Sequence, residues 1–156
     1  MIKKEQVKYD CIFTANVYEN DVLVNTIEEH NLLLDSGKVL MLESMFSSSP
    51  IYGNIGSMVF GDSEVTPTVS DNITDFGSYH INNTTGYFID PTSLEAKVYW
   101  QIGEAEFNGN TIKTIGLVGT NRIYNYVFNR INLDAGDWIV KMPHIKATGY
   151  WQITLV

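Results

Sequence analysis

The sequence predicts an all-β protein, a single-domain antiparallel β-sandwich with one short α-helix near residues 37–46. Three observations lead there. Apolar and polar residues alternate along most of the chain, which is the period of a strand with one buried face. Clusters of Asn, Asp, Gly, Ser and Pro break that alternation every ~8–15 residues, as turns between short strands do. Only one segment carries its apolar residues at helical spacing.

The elements follow in order. Val7, Tyr9, Cys11, Phe13, Ala15 and Val17 share one face; Glu19-Asn20-Asp21 is a turn cluster and VLVNTI follows, so residues 6–28 read as a long hairpin. Asp35-Ser36 offers a helix N-cap, and Val39, Met41, Leu42, Met45 and Phe46 form one broad apolar face before Ser47-Ser48-Ser49-Pro50 stops the helix. Residues 54–60 read as a strand. SYHI and GYFI flank Asn82-Asn83-Thr84-Thr85 as a second hairpin.

Leu94, Ala96, Val98, Trp100 and Ile102 then alternate with Glu95, Lys97, Tyr99 and Gln101, and the phase slips at Gly103, which predicts a bulge. Asn108-Gly109 is a turn, TIKTIGLV returns as a strand, and RIYNYVFNRI opens another. The chain closes on the alternating Ile145, Ala147, Gly149, Trp151, Ile153 and Leu155. Trp100 and Trp151 share a face with aliphatic residues and are expected in the core rather than stacked on a sugar.

At 156 residues the chain is expected to be one domain, 1–156, with a core large enough to need no metal or disulfide. A net charge of −8 excludes a nucleic-acid partner, because phosphate binding requires clustered Lys and Arg. Cys11 is the single cysteine, so neither an internal disulfide nor a cysteine zinc site is expected. No apolar run follows Lys3-Lys4 and no stretch approaches the ~18 apolar residues of a membrane helix; folding in a cytoplasm, without a leader or a membrane partner, is expected. Charged residues are only 18% of the chain, and Asn, Thr, Ser, Tyr and Gly fill the deficit. A neutral polar surface of this kind is readily covered by partners.

Catalytic motifs were sought and no catalytic residue is assigned. Gly37-Lys38 is followed by Val39 and so makes no P-loop, and neither GxSxG nor GxGxxG occurs. His30, His80 and His144 are too far apart to form an HxxxH or HxH pair. Glu104 and Glu106 are expected on the solvated face of a strand rather than in an active site. No cofactor or metal is expected.

The longest stretch without clean periodicity is FGDSEVTPTVSDNITDF, residues 60–76. Its carboxylates, Asp62, Glu64, Asp71 and Asp75, do not follow the every-second-residue spacing of a calcium loop. An extended arm over about 61–76 is expected, stiffened by Pro67, with Asp62, Glu64, Thr66, Pro67, Thr68, Asp71 and Asp75 at an interface.

From His30 to the C-terminus the order of motifs resembles that of small structural proteins of tailed bacteriophages. The pieces are His30-Asn31-Leu32-Leu33 running into Gly37 and a helix, then IGSMVFGDSEVTPTVSDNITDF, then Trp100-Gln101-Ile102. The run from Glu106 to Leu117 is similar to their E-x-N-G-x-x-I-x-x-I-G-L, and Gly149-Tyr150-Trp151-Gln152-Ile153-Thr154-Leu155 closes the set. The first 28 residues have no counterpart in it. The resemblance implies a non-enzymatic virion component of the neck, tail or baseplate, or a tail-fibre adaptor. It implies assembly in the bacterial host cytoplasm, partners among other virion proteins, and a homo-oligomer, a ring or trimer. The other expectation kept from the residues is a carbohydrate-binding sandwich recognising a host surface glycan, with Tyr87 and Asn82 as its candidate contacts.

Overall fold

The computed structural model describes residues 9–46, 55–119 and 126–155. Residues 6–8 of the expected first hairpin, the helix stop at 47–50 and residues 122–125 of the expected late strand lie outside them.

Two antiparallel five-stranded sheets pack face to face, as the alternation predicts. The first is built from β1 (Tyr9–Glu19), β2 (Val22–His30), β6 (Gly86–Asp90), β7 (Glu95–Ile102) and β12 (Ile145–Leu155), in the order β2-β1-β12-β7-β6. The second is built from β3 (Leu32–Leu33), β4 (Ile55–Gly61), β5 (Tyr79–Asn83), β9 (Thr114–Gly119) and β10 (Val127–Asn132), in the order β3-β10-β9-β4-β5. A short pair, β8 (Thr111–Ile112) with β11 (Ile139–Val140), lies apart from both sheets. The one α-helix among the described residues, α1 (Asp35–Phe46), packs against β10, and it starts two residues before the expected 37.

The first hairpin forms because Asn20 and Asp21 both take positive φ, 48° and 66°, the left-handed pair that matches the strand twist in a two-residue turn. Its alternation places Cys11, Phe13, Ala15 and Val17 inward. Phe13 stacks on Trp100 at 5.3 Å and meets Trp151 at 4.9 Å; from the opposite sheet Phe60 reaches Trp100 at 5.6 Å. The Trp151 indole N–H points at Met58 Sδ, 3.0 Å away, so both tryptophans belong to the core as expected.

Three local readings are corrected. SYHI and GYFI do not pair with each other: β5 pairs with β4 and β6 with β7, in different sheets. The crossing falls between adjacent residues, since Thr84 N–H donates to Gly56 O of the second sheet and Thr85 N–H to Tyr99 O of the first. Gly103 is not a bulge but the end of β7, and residues 103–110 form a loop. TIKTIGLV accordingly does not return beside β7; its second half is β9, between β10 and β4 of the other sheet. Alternation fixes which face a residue takes, but it carries no information about which sheet a strand joins.

Where β1 and β12 run side by side their backbones come close at Gly149, where an added Cβ would lie 1.9 Å from Thr14 O. Gly149→Ala is expected to lower stability by about 2 kcal/mol or more through backbone displacement. Gly136→Ala, with nothing within 4 Å of the new methyl, should stay within about 0.5 kcal/mol. Urea midpoints for the two variants, at unchanged slope, check the difference.

Candidate functional site

The segment singled out in the sequence lies on the outer face of its own second sheet. Gly116 sits between Val59 and Arg130 in that sheet, and with no side chain it leaves a slot that the Phe76 ring fills; an added Cβ would lie 2.8 Å from the ring. Gly61 opens the same space, 2.8 Å from Phe76 Cβ. Ile73 and Phe76, held in a 3-10 turn over Ile73–Phe76, then bury against Leu34, Val59, Val118 and Val127. This second apolar cluster covers the face of the sheet that the sandwich core leaves open.

Arg130 projects from β10 into the same layer, and its side chain is fully buried. Its Nη1 donates to Asp71 Oδ2 at 2.7 Å, its Nε to Thr114 Oγ1 at 2.9 Å and its Nη2 to Val65 O at 3.0 Å. The guanidinium carbon stands 5.0 Å from the centre of the Phe76 ring. Burial opposes ionisation of Asp71, but the hydrogen bonds from Thr68 and then Arg130 outweigh it and hold the carboxyl below its ordinary range.

Each expected interface residue has a definite place. Asp62 accepts from Ser78 N–H at 2.8 Å, Glu64 pairs with Lys113, and Thr68 donates its hydroxyl to Asp71 at 2.6 Å. Asp75 accepts from Asn72 N–H at 2.7 Å while Asn72 Oδ1 accepts from Thr74 N–H, a capping box on the 3-10 turn. Thr66 is exposed and Pro67 half-buried beside them. Each of the four carboxylates therefore serves its own donors within this chain, and the four converge on no common point.

Glu104 and Glu106 do not share a strand face. Both lie in the loop after β7, where Glu106 accepts from Gly103 N–H at 2.5 Å. The neighbouring Lys141 is fully buried, with its ammonium 2.7 Å from Ile145 O, 3.0 Å from Asn108 Oδ1 and 3.1 Å from Met142 O; burial lowers its pKa. It ties this loop to the chain near β11. Cys11 is buried too, and desolvation pushes its thiol up to about 11, so it is not a thiolate at neutral pH.

One grouping is absent from the sequence reading. Carboxylate oxygens of Glu29, Asp134 and Asp137 lie within 4.8 Å of one another, and Asn25 donates to Asp137 at 2.9 Å. Partial burial and then the two aspartates raise the pKa of Glu29. More than a hundred positions separate Glu29 from Asp134, so only the approach of the Asp134–Trp138 loop to β2 brings them together, and no spacing signals it. Of the two carbohydrate candidates, Tyr87 is exposed on β6, whereas Asn82 donates to Gln101 O at 3.2 Å.

Comparison with protein-family models, with curated proteins and with solved structures gives no match.

Removing the guanidinium leaves Asp71 charged and poorly solvated, so Arg130→Met is expected to cost about 3–5 kcal/mol. Asp71→Asn should cost less and show the linkage. A folded pKa below the unfolded value stabilises above the unfolded pKa, near 3.8, and that contribution is lost as pH falls through the folded value. The gap in urea midpoint between wild type and Asp71→Asn should thus be full at pH 6 and shrink below pH ~4.

Proposed function

We propose that this chain is a non-enzymatic structural protein of a tailed-bacteriophage virion, a neck, tail or baseplate component or fibre adaptor that assembles with copies of itself and with other virion proteins. The position in a virion rests on the order of motifs from His30 onward. Assembly rests on one observation about the surface: the first sheet ends in strands with bare apolar side chains. Tyr87, Phe88 and Ile89 on β6 are 77%, 58% and 61% exposed, and Val22, Leu23 and Val24 on β2 are exposed as well. A solitary soluble domain protects such edges with charge, proline or a covering segment.

Charge supports the same reading. Each described Lys and Arg is already engaged within the chain: Lys38 with Asp35, Lys113 with Glu64, Lys146 with Asp21, Arg130 with Asp71, Lys141 with backbone carbonyls, and Lys97 over the Tyr150 ring. No cationic patch is available among them for a polyanion. Uncharged polar and apolar side chains, beside an excess of carboxylates, are what such a domain offers a neighbour.

A second reading, a carbohydrate-binding sandwich, is favoured by one feature. Tyr99 and Tyr150 stand edge to face, 6.1 Å apart, on the outer face of the first sheet, in a shallow depression with Asn16, Gln101 and Thr148. Light scattering on the purified chain, paired with a glycan array, separates the two. The virion reading expects one defined oligomer and no glycan signal. A strict monomer up to ~100 μM that binds a glycan through Tyr99 and Tyr150 overturns it.

A further inference from the structure

We propose that β6 is a self-association edge, at which two copies of this chain join their β6 strands antiparallel about a two-fold axis and continue the first sheet from one copy into the other. The proposal rests on the assembly reading and names the surface it uses.

The shape of the sandwich singles out this strand. Tyr87 pairs with Val98 and Ile89 with Ala96, so both side chains point to the inner side of the sheet, where Val98 is buried. They are nevertheless exposed: the second sheet ends at β5, which packs over β7, and Ile89 borders an open apolar cavity with Met41, Ile55 and Phe128. The strand overhangs the sandwich by one position. Among the described residues nothing pairs with its outer edge, where alternate residues present N–H and C=O groups.

A second copy fits this edge by its own chemistry. Centred on Phe88, an antiparallel pair sets Phe88 against Phe88 of the second copy, Tyr87 against its Ile89, and Asp90 against its Gly86. The apolar side chains meet on each face, and the one charged residue of the strand faces a glycine instead of a like charge. Tyr87, Phe88 and Ile89 of two copies hold on the order of 800 Å² of exposed surface, taking about 200 Å² per side chain. The paired backbones add to this, which places the contact at the low end of specific interfaces.

Joining β6 to the β2 edge of another copy fits less well. Tyr87 lies in the row of Val98, Trp151 and Phe13, whereas Val22 and Leu23 pair with Glu19 and Tyr18 at the far end of β1. The two apolar triplets would not meet without a large slide along the strands.

The test combines sedimentation equilibrium with a directed crosslink on the full chain. Wild type is expected to dimerise, and Phe88→Asp to raise the dimer Kd about tenfold or more by placing two carboxylates face to face, with an unchanged circular dichroism spectrum. Phe88→Cys under mild oxidation should give a disulfide-linked dimer, and Thr14→Cys, on the outer face of β1, should not. An oligomer that Phe88→Asp leaves intact, with no crosslink at 88 above the Thr14→Cys level, overturns the β6 pairing and leaves the assembly reading standing. A monomer at every concentration overturns both. Capture of a heterologous strand by a monomeric chain likewise overturns self-pairing.

Discussion

A buried guanidinium takes five N–H groups out of water, and each unmet donor in a dry layer costs free energy comparable to a lost hydrogen bond. At Arg130 that requirement joins parts of the chain that the sheet ladder alone would leave separate. The Thr114 hydroxyl is supplied by the adjacent strand β9, while Asp71, Val65 O and the more distant Ser63 hydroxyl come from the long connection between β4 and β5. Once that connection is fixed, Val69 O accepts from Asp35 N–H at 2.8 Å and sets the start of α1. Glu64 meets Lys113, which also lies 4.3 Å from the Trp138 ring. One cation therefore organises a layer reaching from the helix to the loop before β11.

What was legible in the sequence was local. The first hairpin could be read because its turn residues and alternation lie within one short segment. The core role of Trp100 and Trp151 could be read because each shares a period-two face with aliphatics. Strand pairing could not, since β5 and β6 are neighbours in sequence and belong to different sheets. The acidic segment was recognised as irregular and extended, but its partner was not, because Arg130 reads as an ordinary polar position of a half-buried strand. Only the pairing of Arg130 with Gly116 and of Gly116 with Val59 creates the slot that Phe76 and the guanidinium share. The loop holding Glu104 and Glu106 was misread for a related reason: a strand end and a bulge give the same slip in phase.

Several charged side chains of the described residues are spent on architecture. Asp71 and Asp75 hold donors of the acidic segment and Asp62 holds Ser78 N–H just beyond it, and Lys141 sits in a cage of oxygen acceptors, three of them backbone carbonyls. Groups so engaged are poor candidates for proton transfer or ligand exchange, because using them would first break the contacts that place them. Glu29, Asp134 and Asp137 differ in kind. They are three carboxylates close together with one amide donor, and mutual repulsion alone accounts for the raised pKa of Glu29 beyond its burial.

The four sheet edges are protected unequally, and that asymmetry links the fold to assembly. β3 is two residues long and runs directly into α1, so it offers little ladder. β2 carries Glu28 and Glu29 along its length, and its register slips where Val24 is skipped between Asn25 and Leu23, a bulge that turns the edge. On β5, Asn82 is drawn across to Gln101 O in the facing sheet. β6 has none of these devices from Gly86 to Ile89: no charge, no proline, no bulge and no covering segment among the described residues. Apart from Asp90 at its end β6 is uncharged, and in a chain of net charge −8 this weakly protected hydrogen-bonding row lies beside Tyr87 and Phe88, the most exposed aromatics of the described residues. Backbone pairing and apolar burial then favour the same contact, and a second β6 supplies both at once.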